Sequence, residues 1–239
     1  MSLPKLRRFS LSIAIGLVLA TIKMLDANAA AIDKLALSDG TEITYVLALP
    51  SDFSRERAYP VLIVFPGGEQ TIDTVQGGLE RFWEAEALRR GFVVISLAAP
   101  RGKPFFKNSI DLVPEFLNRL QKMYRVKGDK FHLAGHSNGG VSAFRAAVRY
   151  PELFQSLTAL AGFPEEDKDF VRLDRLKNLK ISMFVGDGDL YWKEGMKRTF
   201  DRLKLLKNEV YFEVLPRNGH FLPGLSFENS SRIFDHIQP

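Results

Sequence analysis

The chain has 239 residues, 46% hydrophobic and 26% charged, which suits one α/β domain and excludes a disordered tail. It holds no cysteine and only four histidines. That excludes a disulfide framework, thiolate zinc sites and a cysteine nucleophile, and makes a multi-histidine metal site hard to build. The formal charge of +5 is concentrated at the N-terminus, where Lys5, Arg7, Arg8 and Lys23 stand against Asp26. The rest of the chain is near neutral, with 29 basic and 27 acidic residues, and gives no support for nucleic-acid binding.

Lys5, Arg7 and Arg8 precede an apolar run over residues 11–22. The run is shorter than the ~20 residues that span a bilayer as a helix. Ala27-Asn28-Ala29 follows, an A-x-A cleavage pattern, with Ala30 and Ala31 next. A charged start, a short apolar run and small residues at the exit predict a secretory signal peptide over residues 1–29. The expected mature domain covers 30–239, works in the periplasm or medium, and has no stable membrane anchor.

Residues 43–49 alternate loosely and predict a strand. Apolar runs follow at 59–65, 91–97, 131–134, 157–161, 181–185 and 210–215, most of them closed by Gly or Pro. Such runs, rich in β-branched and aromatic residues, predict buried parallel strands. Helices are expected between them at 79–90, 110–124, 141–148 and 192–206, with a terminal one at 227–237, from apolar residues at three- and four-residue spacing. The expected fold class is α/β: one domain with a mostly parallel sheet, helices on both faces and no large lid. Residues 164–179 are the only sizeable insertion after the fifth strand.

The strongest chemical motif is Gly135-His136-Ser137-Asn138-Gly139-Gly140, set between a short strand and a small-residue helix. A nucleophile elbow needs this setting. The serine sits on a strained turn, so Gly135 and Gly139 must lack bulk. The helix N-terminus then aims the backbone N–H of Asn138 at a developing oxyanion.

Ser137 needs a base. His132 lies inside the strand and is expected to be buried; the side chain of His136 is expected to point away from Ser137; His236 falls near the end of the chain. His220 follows the last strand in Arg217-Asn218-Gly219-His220, at the sheet edge where catalytic groups collect. Gly186-Asp187-Gly188-Asp189 follows the strand at 181–185 and supplies the acid. Either Asp serves on position alone; the other shapes the turn. A second oxyanion donor is expected in Pro66-Gly67-Gly68-Glu69-Gln70, from the N–H of Gly68 or Glu69. Phe105, Phe106, Tyr191 and Trp192 lie on loops beside the site; they line a substrate pocket or pack under the loops.

The order Ser137, Asp189, His220, with the glycine turn upstream, resembles the α/β-hydrolase superfamily over nearly all of the chain from residue 43. Pro66 stands where lipases and esterases of that superfamily carry His. Asn138 and the doubled Gly139-Gly140 resemble the secreted branch that includes feruloyl esterases and polyhydroxybutyrate depolymerases. Pro100-Arg101-Gly102 is similar to a turn in those and in dienelactone-hydrolase-like members. In such hydrolases the acid stands three residues after the glycine that ends its strand, which points to Asp189.

The resemblance implies hydrolysis of a carboxylic ester, on a small molecule or attached to a polymer, through an acyl-enzyme on Ser137. It implies no metal or organic cofactor. A serine peptidase or thioesterase with the same triad is the alternative, and a non-catalytic binding protein on the same scaffold a further one.

Overall fold

In the computed structural model, which describes residues 30–237, the predicted strands and one further edge strand form a single eight-stranded sheet. The strands are β1 (Ala31–Ala36), β2 (Glu42–Ala48), β3 (Val61–Phe65), β4 (Val93–Leu97), β5 (Phe131–His136), β6 (Phe154–Leu160), β7 (Lys180–Gly186) and β8 (Val210–Leu215). Their order is β1-β2-β4-β3-β5-β6-β7-β8. β2 pairs antiparallel with both β1 and β4, and every pairing from β3 to β8 is parallel. The predicted signal peptide lies outside the described residues. No helix among the described residues is long and apolar enough to cross a membrane.

The central strands are continuous apolar runs because both faces are covered. Val61, Ile63 and Phe65 of β3 face one core, and Leu62 and Val64 face the other. The helices are α1 (Ile72–Gly78), α2 (Glu84–Arg89), α3 (Val113–Met123), α4 (Asn138–Arg149), α5 (Asp167–Phe170), α6 (Leu190–Leu205) and α7 (Ser231–Phe234). Phe116, Leu120, Phe144, Met196 and Leu203 bring α3, α4 and α6 onto the first face. Val75, Ala87 and Phe234 bring α1, α2 and α7 onto the second. The insertion at 164–179 holds α5 and is tied down by buried Arg145, which donates to buried Asp169 at 2.6 Å.

Three elements depart from the sequence expectations. β1 has no counterpart there, because Ala-Ile-Asp-Lys-Leu-Ala alternates weakly and stays largely exposed. It forms by backbone pairing with β2, with Asp33 and Lys34 on an open edge. The helix expected at 79–90 begins earlier, at Ile72, where the Thr71 hydroxyl accepts from the N–H of Thr74. Between α1 and α2 the chain widens into one π-helical turn, Leu79–Trp83. The terminal helix expected at 227–237 is a 3-10 turn, Phe227–Ser230, followed by the single turn of α7.

Sequence order reverses at β3, which has β4 on one side and β5 on the other. In an open α/β sheet the crevice at the carboxyl ends of such strands is where ligands bind. The turns that follow β3, β5, β7 and β8 all emerge at this edge.

Candidate active site

The turn after β5 is dictated by sterics. Ser137 has φ 56° and ψ −126°, a conformation that L side chains rarely adopt, and its N–H donates to the carbonyl of Leu160 at 2.9 Å. A Cβ at Gly135 would lie 2.1 Å from the carbonyl oxygen of Gly139, and one at Gly139 would lie 2.0 Å from that of Phe65. Strand, turn and helix approach this closely because neither residue has a side chain.

His220 Nε2 lies 2.8 Å from Ser137 Oγ, and His220 Nδ1 lies 2.7 Å from Asp189 Oδ2. With Nδ1 protonated and donating to the carboxylate, Nε2 is free to accept from the serine hydroxyl. Three turns thus converge on one hydrogen-bonded chain.

The loops that carry Asp189 and His220 are interlocked. The Asn218 carbonyl accepts from the N–H of Gly188 at 3.0 Å, and Asp187 donates its N–H to the carbonyl of Leu215 at 3.0 Å. Asp187 Oδ1 accepts from the N–H of Asn218 at 3.2 Å. These backbone donors, that of Arg217 first, hold the Asp187 carboxyl below its ordinary range. Asp187 is therefore the turn residue, and Asp189 is the one that reaches His220. The glycine that permits the approach is Gly186: a Cβ there would lie 2.2 Å from the Asn218 carbonyl oxygen. A Cβ at Gly188, the residue that stands just before the acid, would meet that oxygen only at 3.3 Å.

After β3, Gly68 adopts φ 60° and lines the cavity beside Ser137. Its carbonyl accepts from the Asn138 side-chain Nδ2 at 3.0 Å. Gln70 is fully buried behind this turn. Its Nε2 donates to the carbonyl of Pro66 and to the Ser142 hydroxyl, and its Oε1 accepts from the N–H of Phe105. Sequence reasoning finds no role for Gln70, because two of these partners are 35 and 72 residues distant.

The side chain of His136, expected to point away from Ser137, joins the same site from behind. Its Nε2 donates to the backbone carbonyl of His220 at 2.9 Å, and the two rings are 5.1 Å apart. Burial pushes its pKa down to about 4, so the ring is neutral. Trp192 packs on His220 at 5.3 Å. His132 is buried in the sheet, with Nδ1 2.8 Å from Ser156 Oγ, and His236 stacks on Tyr211.

The cavity over Ser137 has a volume of about 420 Å³ and is mostly apolar, walled by Gly77, Gly78, Arg81, Phe82, Trp83 and Phe221 among others. Of the aromatic residues expected near the site, Phe105 is fully buried 4.9 Å from Phe65 and belongs to the core. Tyr191 is exposed and donates to Glu165. Trp192 packs on His220 and is not among the described residues that line the cavity. The cavity wall comes instead from the π-helical turn, whose Phe82 and Trp83 are core residues, as periodicity predicts, and also line the cavity.

Residues 101–209 match the family model "Putative esterase". That stretch holds Ser137 and Asp189 and stops before His220. No curated protein matches the chain. Among solved structures, a thermostable esterase superposes with TM-score 0.67 at 19% identity, covering 87% of this chain and 60% of that one. Dipeptidyl peptidase 4 of Porphyromonas gingivalis gives 0.69 at 16%, covering 87% and 35%. An S-formylglutathione hydrolase of Agrobacterium tumefaciens gives 0.68 at 16%, covering 90% and 95%. The chain thus spans less than two thirds of the first two, and nearly all of the third. The fold is that of the α/β hydrolases, as the sequence resemblance implied.

Proposed function

We propose that the protein is an exported serine hydrolase that cleaves a carboxylic ester through an acyl-enzyme. The observation that carries this reading is the continuous chain from Asp189 through His220 to Ser137 at the floor of an apolar cavity. His220 takes the hydroxyl proton as Ser137 Oγ attacks the ester carbonyl. The backbone N–H groups of Asn138 and Gly68 receive the oxyanion. His220 then protonates the leaving alcohol, and water, activated by the same ring, releases the acid. Asp189 holds the Nδ1–H tautomer and stabilises the imidazolium as it forms. Export rests on the charged, apolar and small-residue succession of residues 1–29.

The test is a panel of p-nitrophenyl esters of rising acyl length beside matched thioesters and p-nitroanilides, with fluorophosphonate labelling. Ser137→Ala should stay folded, lose the label and lose on the order of 10⁶ in kcat. Turnover of the anilides but not the esters would make the enzyme a peptidase. Wild-type turnover by a folded Ser137→Ala protein refutes the mechanism. N-terminal sequencing of the protein from its native host should find a start near Ala30; an intact Met1 or Ser2 on a cytoplasmic protein refutes export.

A further inference from the structure

We infer that Arg81 makes the cavity selective for esters that carry a carboxylate a few atoms from the scissile carbonyl, an inference that rests on the ester-hydrolase reading above. Arg81 projects from the π-helical turn and is the only Lys, Arg, Asp or Glu among the described residues that line the cavity. Its guanidinium carbon lies 6.0 Å from the ring centre of Phe82, 5.8 Å from that of Phe221 and 5.7 Å from that of Phe227.

Those rings receive the positive charge on their faces. They offer no acceptor to the five N–H donors at the guanidinium edge. Among the described residues no hydrogen bond or ion pair engages that edge. Two arginines further along the same helical segment differ. Arg89 and Arg90 both donate to the Glu86 carboxylate at 2.6 Å, and Arg90 also to Asp235. Arg81 is half-buried, aromatic-walled and without an acid.

A planar guanidinium with a free donor edge fits a carboxylate, which it holds with two parallel bonds. The weakly polar wall strengthens such a pair relative to bulk water. Ser137 and His220 line the same cavity, so the carboxylate and the scissile bond must belong to one small substrate. The charge of Arg81 also reaches the catalytic side, adding to the burial that keeps His136 neutral.

The carboxylate can sit on the acyl or the alcohol side, and two matched pairs distinguish them. One pair is mono-p-nitrophenyl adipate against p-nitrophenyl hexanoate; the other is p-carboxyphenyl acetate against phenyl acetate. For wild-type enzyme, the kcat/KM ratio of charged to neutral ester should be about 10 to 100 in at least one pair. The ratio should fall to parity or below in Arg81→Gln, persist in part in Arg81→Lys, and shrink at high salt. Parity in both pairs for wild type overturns the inference, as does a preference that survives in Arg81→Gln. If Arg81→Gln does not fold, the wild-type ratio, its salt response and Arg81→Lys decide. Cleavage of neutral esters without charge preference defeats this inference alone. Cleavage of no ester, with Ser137 unlabelled, defeats the hydrolase reading and this one with it.

Discussion

His136 and His220, 84 residues apart in sequence, are joined by a hydrogen bond of 2.9 Å from a ring N–H to a backbone carbonyl. The residue before Ser137 thereby fixes the loop that carries His220. The bond belongs to the loop's main chain, so it governs where the His220 ring sits and leaves the chemistry of its two nitrogens to Asp189 and Ser137.

His136→Phe should therefore keep the fold and bind ester with little change in KM, while kcat falls about 10- to 100-fold through misplacement of the base. His136→Gln, which keeps a donor, should recover part of the rate. A His136→Phe enzyme with wild-type kcat would show that the loop needs no such anchor.

Buried His132 and half-buried His136 set an acid limit on stability. Burial pushes His132 down to about 4, with Lys127 adding to the effect, and burial likewise holds His136 to about 4. In the unfolded chain each titrates near 6.5. Between about pH 6.5 and 4 the unfolded state binds more protons than the folded one, so stability rises with pH across that interval. Full stability is present above it, and each histidine removes about 3 kcal/mol on the way down. The denaturant midpoint should fall steeply from pH 7 towards pH 5, and His132→Phe should flatten the slope. A midpoint that stays constant over this range defeats the argument.

Legibility in the sequence followed the range of the physics. The elbow was visible because its demands are local: Gly135 and Gly139 must lack Cβ atoms where strand, turn and helix nearly touch. The parallel strands were visible because burial on both faces writes an unbroken apolar run, as at Val61–Phe65. β1 was not, since an edge strand held by backbone pairing needs no such run. Gln70 and His136 were not, since Gln70 reaches Ser142 and Phe105, and His136 reaches His220, all far along the chain. The cavity wall was hidden by one widened turn. Periodicity assigns Phe82 and Trp83 to a core face, where both are buried, but gives no sign that the π-helical turn at Leu79–Trp83 also sets them at the cavity wall.

The elbow glycines give a steric prediction. Gly135→Ala forces a Cβ to within 2.1 Å of a backbone oxygen that has no freedom to withdraw, so the protein should unfold or lose the turn. Gly77 is helical, and a methyl group added there would meet nothing within 4 Å, so Gly77→Ala should raise the melting temperature, by about 0.5 to 1 kcal/mol of stability. Circular dichroism melts of both variants decide it; a Gly135→Ala protein as stable as wild type would mean that the elbow is looser than its geometry indicates.

The separation of the two aspartates can be tested by changing one atom in each. Asp189 Oδ2 lies 2.7 Å from His220 Nδ1, and Asp189 also opens α6, its carbonyl accepting from the N–H of Lys193 at 2.8 Å. Asp189→Asn keeps that backbone bond and the side-chain shape. It removes the negative charge opposite Nδ1 and offers an amide donor that favours the other tautomer. His220 then presents a proton to Ser137 instead of a lone pair, and kcat should fall by roughly 10⁴ with the fold intact. Asp187 faces backbone donors, its Oδ1 accepting from the N–H of Asn218 at 3.2 Å. Asp187→Asn retains an oxygen for that role and weakens it by loss of charge. Its expected effect is a lowered melting temperature with most of the rate kept. Measuring kcat and melting temperature for both variants separates the roles; loss of rate in Asp187→Asn with retention in Asp189→Asn would move the acid two positions back along the chain.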